Sequence, residues 1–192
     1  MHVKIPLNRI GVLVGSNGSV KRKIEKRFDV KIDINSDAGD VALTRATSES
    51  DPSGLFRVRD IVLAIGRGFS SENAFRLFDE DICFGILDLR DYLGKSQANI
   101  QRIKGRIIGK NGKTRKVIEE YTEANISIYG HTVSIIGELE SFEIAKSAIE
   151  LLIRGGLHKS VYRFLQWKRI GLKKKNMELW KPSTSDFAKE KV

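Results

Sequence analysis

The sequence predicts an α+β protein made of two copies of one unit, each running strand, helix, turn, helix, strand, strand, helix. Three observations predict it. The stretch GVLVGSNGSVKRKIEKRFDVKIDI, from Gly11, aligns without a gap onto GRIIGKNGKTRKVIEEYTEANISI, from Gly105. Between two helical patterns each copy carries the same turn, two glycines bracketing two polar residues, at Gly15–Gly18 and Gly109–Gly112. After the second helix each copy enters β-rich runs in register, so that Ile32 and Ile34 fall on Ile126 and Ile128. Lys21 falls on Arg115, Ile24 on Ile118 and Glu25 on Glu119. Two copies of small-domain size make a tandem duplication rather than a solenoid.

Taken in order, Met1 to Pro6 read as a short strand stopped by Pro6, and Leu7 to Val14 as a short helix ending at Gly15. SVKRKIEKRF forms the second helix, with Ile24 and Phe28 on one face, and VKIDI (Val30 to Ile34) and VALT (Val41 to Thr44) the next strands. Asp51-Pro52 opens a helix with Leu55, Val58, Val62 and Ile65 inward and Gly66 past its end. A short connecting helix is expected from Ser71 to Phe78, and a strand from Ile82 to Leu89. A helix holding Ile100, Ile103 and Ile107 leads to the second turn, and Lys113 to Tyr121 form the next helix, with Val117, Ile118 and Tyr121 inward. NISIY and TVSIIG are strands joined at Gly130-His131, and SFEIAKSAIELLI is a helix stopped by Gly155-Gly156. The domain division is 1–66, a connector at 67–80, a second unit at 81–155, and a basic extension and tail at 156–192.

Composition narrows the function. With 192 residues, 41% hydrophobic and 30% charged, the chain fits one or two soluble domains. A net charge of +10 points to a nucleic acid or an anionic surface, unless it serves solubility alone. Cys83 lacks a disulfide partner and is expected to be a buried structural thiol. The start MHVKIPLNRIG has no signal-peptide core, and no window approaches eighteen apolar residues, so a cytoplasmic protein without a membrane span is expected. His2, His131 and His158 show no metal-ligand spacing, and no carboxylate is placed to orient His131 or His158. No nucleophile–base pair, cofactor motif or small-molecule substrate site emerges, and the chain reads as a non-enzyme.

The stretch GRIIGKNGKT is built to hold an anion. Glycine permits the positive φ that brings backbone N–H groups close to a ligand, and the helix that follows turns its positive end the same way. Lys110, Lys113, Arg115 and Lys116 add charge. A nucleotide P-loop is excluded although Gly112-Lys113-Thr114 supplies its ending: the required first glycine would stand at Ile107, and a helix rather than a strand precedes it. Gly15-Ser16-Asn17-Gly18 lacks the lysine, but Lys21, Arg22 and Lys23 follow. It is either a second anion site or a copy kept for packing.

The βααββα order with G-x-x-G joining the first two helices, after the I-G of GRIIGKNG and before a basic helix, resembles the K-homology (KH) domain of type I. That resemblance implies a three-stranded antiparallel sheet with three helices on one face. It also implies a groove for about four unpaired nucleotides whose backbone the GxxG turn clamps. The groove floors would come from Ile107, Ile108, Val117, Ile118, Ile126 and Ile128, and from Val12, Val14, Ile24 and Ile32, with about a third touching bases. Over nearly the whole chain, GRIIGKNGKTRKVIEE, AIGRGFSSENAFRL and SVYRFLQWKR resemble the archaeal-type Dim/partner-of-Nob family of tandem KH proteins. Membership implies binding near the 3′ end of small-subunit ribosomal RNA or its precursor. It further implies partnership with the Nob endonuclease and contact with the α subunit of translation initiation factor two. The RNA-binding residues would be Gly109, Lys110, Asn111, Gly112, Lys113, Arg115, Lys116, Ile107, Ile108 and Ile126, with Gly15, Ser16, Asn17, Gly18, Lys21 and Arg22 in the first copy.

Three segments stand outside this scheme. Arg154 to Lys175 is rich in Lys and Arg, without an acid, and interleaves Tyr162, Phe164, Trp167 and Leu172; it reads equally as a packed amphipathic helix or as an RNA-contacting extension. The tail from Asn176 to Val192 offers Leu179, Trp180 and Phe187 for docking on the body or a partner. Asp79, Glu80 and Asp81 are either a solvated turn or a metal site for RNA cleavage, which makes a metal-dependent ribonuclease the enzymatic rival and a KH-shaped interaction scaffold without RNA the other.

Overall fold

The computed structural model describes residues 1–47 and 51–171 and the backbone of 172–179. The expected docking of Trp180 and Phe187 lies outside the described residues, as do the side chains of Leu172 and Lys173 to Lys175.

The first unit contains β1 (His2–Lys4), α1 (Leu7–Val14), α2 (Ser19–Phe28), β2 (Val30–Asn35), β3 (Asp40–Arg45) and α3 (Pro52–Gly66). The strand ends two residues before Pro6, which serves as the N-cap of α1. Asp51 caps α3, its carboxylate accepting from Ser53 N–H at 2.8 Å, and Pro52 fills the first turn where no donor is needed. Gly66 is the last helical residue rather than the stop: a Cβ there would stand 2.7 Å from the Ile5 side chain, so glycine lets α3 approach β1. The expected connecting helix is one α turn, α4 (Ser71–Ala74), running into a 3-10 turn at Phe75–Phe78.

The second unit contains β4 (Ile82–Asp88), α5 (Leu89–Leu93), α6 (Gln97–Ile108), α7 (Lys113–Thr122), β5 (Asn125–Tyr129), β6 (Thr132–Glu138) and α8 (Leu139–Ile153). The strand expected to reach Leu89 stops one residue short because the Asp88 carboxylate accepts from Arg90 N–H at 2.9 Å and starts α5. Gly155, at φ +91, ends the unit, and α9 (His158–Leu179) follows.

Each unit has a three-stranded antiparallel sheet with its third strand in the middle, in the orders β1-β3-β2 and β4-β6-β5. This is the fold expected of two type I KH units. One core joins Leu13, Ile24, Ile32, Leu43, Ile61 and Ile65, the other Ile103, Ile107, Ile118, Ile126, Ile135 and Ile149.

The two sheets differ in what covers them. In β3 the buried Val41 and Leu43 alternate with more exposed residues, whereas Thr132 to Gly137 of β6 are all buried. The second sheet is covered on both faces, by α6–α8 on one and by the first unit together with the connecting turn at Phe75–Phe78 on the other. Ile82 and Ile136 belong to the first hydrophobic core. Ser127 Oγ donates to Arg67 O at 2.8 Å, Tyr129 OH to Asn8 Oδ1 at 2.9 Å, and Arg57 to the carbonyls of Ile82 and Glu80 at 3.0 and 2.6 Å. Both sheets thus carry their helices on one face as expected, and the second has its other face covered as well.

Candidate nucleic-acid interface

The two GxxG turns have nearly the same backbone. Gly15 and Gly109 leave α1 and α6 at φ +71 and +72, with ψ 178 and 174. Their N–H groups close those helices on Gly11 O at 2.9 Å and Gly105 O at 2.8 Å. A 3-10 turn follows, in which Asn17 and Asn111 sit at φ 50 and 53, the left-handed region that asparagine tolerates better than most residues. Gly18 and Gly112 donate back to Gly15 O and Gly109 O at 3.3 and 3.2 Å. Both glycine donors of each turn are thus committed. The N–H groups of Lys110 and Asn111 take no part in these bonds, as the opening donors of a helical turn do not. The open donors of the turn are therefore those of Lys110 and Asn111, with α7 starting at Lys113 directly behind them.

Charge separates the copies. Lys110, Lys113 and Lys116 are exposed, and among the described residues no ion pair engages them. Arg115 is shared, its Nε 3.4 Å from Glu119 Oε2. In the first copy no cation stands on the turn, Lys21 pairs with Glu25 at 3.8 Å, and the Arg22 guanidinium folds back to donate to Asn17 O.

Of the expected floor residues, Ile107 and Ile126 are 0% and 3% exposed, and Ile24, Ile32 and Ile118 are equally deep in the cores. Their contribution is to hold the floor from behind. Ile108 is 37% exposed, and Val117 and Ile128 are half-buried, so the accessible apolar surface of the second copy comes from these.

The second turn has supports that the sequence did not reveal. Thr114 is buried beneath Gly109, and its hydroxyl lies 3.1 Å from Tyr162 OH of α9. Arg106, just before the turn, donates to Gly156 O at 2.6 Å, and His158 Nε2 lies 3.0 Å from Arg106 O. Val161 and Leu165 anchor α9 in the second core, while Trp167 remains 68% exposed. The packed-helix reading of this segment accounts for these contacts. Glu25 and Glu119 were visible only as one matched pair among several; each reaches the neighbouring edge strand, accepting from Ile32 N–H at 2.9 Å and Ile126 N–H at 2.8 Å.

One histidine expectation is corrected: His131 Nε2 lies 3.5 Å from Asp88 Oδ2, because β4 and β6 pair Asp88 opposite Thr132. The Arg90 hydrogen bond, with a smaller part from His131, holds the Asp88 carboxyl below its ordinary value. Cys83 is half-buried on β4 rather than fully enclosed. Asp79 and Asp81 are joined by a side-chain-to-backbone bond of 3.2 Å. Among the described residues no group of three or more His, Cys, Asp or Glu is placed to hold a metal ion, and no helix is long and apolar enough to cross a membrane.

Two βααββα units, each with a GxxG turn at the foot of a helix, define a tandem type I KH protein. The model of the eukaryotic type KH-domain (KH-domain type I) matches residues 83–170, and that of the KH domain matches residues 1–51. The chain is 46% identical to the KH domain-containing protein MJ0443 of Methanocaldococcus jannaschii, over 93% of this chain and 78% of that one. It is 28% identical to the pre-rRNA-processing protein pno1 of Schizosaccharomyces pombe, over 85% and 68%. The a/eIF2alpha-aDim2p-rRNA complex of Pyrococcus horikoshii contains a chain with TM-score 0.82 and 49% identity, covering 89% of this chain and 94% of that one. The protein belongs to the PNO1/Dim2-type family of KH-domain RNA-binding proteins.

Proposed function

We propose that the chain binds single-stranded RNA near the 3′ end of small-subunit ribosomal RNA or its precursor and presents that end to a Nob-type endonuclease. The observation that carries the reading is the second GxxG turn, where two uncommitted N–H donors, three unpaired lysines and a helix N-terminus converge. In this reading the backbone of Lys110 and Asn111, shaped by Gly109 and Gly112, holds phosphates, and Lys113, Arg115 and Lys116 add charge. Ile108 and Ile128 face the bases, with Ile107 and Ile126 behind them. The turn of Gly15, Ser16, Asn17 and Gly18, with Lys21 and Arg22, is the weaker site because Glu25 and the Asn17 carbonyl already engage these two cations. The binding units are 1–66 and 81–155, joined by 67–80. Pre-rRNA processing by the fission-yeast relative supports ribosomal RNA as the ligand and a role in subunit maturation; in this reading that role is cytoplasmic and non-catalytic. The Pyrococcus complex supports the α subunit of translation initiation factor two as a further partner.

The test is a titration of labelled RNA carrying the small-subunit 3′ terminal sequence against a scrambled RNA of equal length. The reading requires tighter binding of the terminal sequence and faster, more accurate cleavage by the purified endonuclease when the protein is present. Equal affinity for both RNAs, or cleavage indifferent to the protein, contradicts it.

A further inference from the structure

One contact is built twice into this molecule, and the phosphate clamp makes no use of it. Glu119 extends from α7 to the edge strand β5, where Oε1 accepts from Ile126 N–H at 2.8 Å while Oε2 lies 3.4 Å from Arg115 Nε. Glu25 extends from α2 to the edge strand β2 in the same way, with Ile32 N–H at 2.9 Å and Lys21 Nζ 3.8 Å from the same oxygen. Each glutamate side chain is 23% exposed. A carboxylate offers about four lone-pair directions. The two contacts leave acceptor capacity open where α7 faces the edge strand β5, a short way from the GxxG turn: Arg115 stands three residues beyond Gly112, and Glu119 one helical turn beyond Arg115.

An anion at this point repels the phosphates that the turn above it attracts. What suits it is an N–H donor from a base edge, and unpaired bases present such donors beside their phosphates. We propose that Glu119 is a specificity-determining residue of the second groove, its carboxylate accepting hydrogen bonds from the Watson–Crick edge of one unpaired base. Guanine fits best, because N1–H and the N2 amino group are adjacent donors that a carboxylate can take together. Adenine and cytosine present one amino group. Uridine fits worst, since its single N3–H lies between two carbonyl oxygens that face the negative charge. The inference rests on the reading of this groove as a holder of single-stranded RNA.

The test uses the full-length protein, a randomised single-stranded RNA pool and sequencing of the retained fraction, for wild type and Glu119→Gln. The glutamine retains an oxygen for Ile126 N–H, and replaces the other acceptor by a donor. Wild type is expected to enrich guanine over uridine at one position by about tenfold. Glu119→Gln should lose that enrichment and move toward uridine, with the affinity for the whole pool changed by less than about threefold. Unchanged enrichment in a variant that melts with wild type overturns the inference and leaves RNA binding intact, because a purely structural staple would not alter base choice. If wild type retains no RNA at all, the groove reading fails and this inference with it. Should Glu119→Gln melt early, Glu119→Asp, which keeps the charge but draws it back toward α7, is read in the same assay with the same two outcomes.

Discussion

Gly109 and Gly112 share a positive φ but differ in their surroundings. A Cβ at Gly109 would overlap the Thr114 hydroxyl and stand 2.7 Å from its Cβ, whereas one at Gly112 would meet nothing within 4 Å. Gly112→Ala should cost only the left-handed backbone penalty, about 1–2 kcal/mol, and Gly109→Ala clearly more, since Thr114 is fixed by Tyr162. Urea unfolding midpoints of the two variants check the order. Asp88 supplies a second prediction. Its carboxyl is held low mainly by Arg90, so its stabilisation is fully present above the ordinary Asp value of about 3.9 and is lost as pH falls through the lower folded value. Asp88→Ala should melt below wild type at pH 7, and the gap should close in strong acid. The positive φ of the turn's glycines and the exposure of its lysines were legible because both are local properties. Glu119 was not, because a helical glutamate ordinarily reads as solvated, and only the fold brings the strand edge within its reach.

At the scale of elements, short apolar runs were the hard part. ICFGILDL has no internal sign that Asp88 caps a helix, and a short run cannot be divided between strand and helix by period alone. The helices α2 and α7, by contrast, were placed to within a residue or so, since a glycine turn starts each and the inward residues recur at helical spacing. The helix α9 was legible as amphipathic but not as a brace of the GxxG turn, a role that depends on Tyr162 and the Gly156–Arg106 contact. Leu165, 1% exposed in the second core, is its main anchor. Leu165→Ala should destabilise by about 2–5 kcal/mol and weaken RNA binding by loosening the turn above Thr114. Calorimetry paired with RNA titration checks both effects.

For the molecule as a whole, the repeat exposed the duplication, and with it the architecture of each half. It could not show that the halves share a core. Ser127, Thr132 and Ser134 are polar residues of β5 and β6, yet all three are buried, and the first unit with the connecting turn covers the face they share with Ile136. The duplicated fold thus has unequal halves, the second braced by the first unit and by α9 and carrying the unpaired lysines. The central claim is that this second turn clamps an RNA backbone, and Lys110→Asp combined with Asn111→Asp tests it most directly. Binding of single-stranded RNA should fall by at least about tenfold while the circular dichroism spectrum is unchanged. The wild-type log–log salt slope should approach about −0.7 per phosphate contacted. Unaltered affinity in the double variant, with the fold intact, would contradict the account.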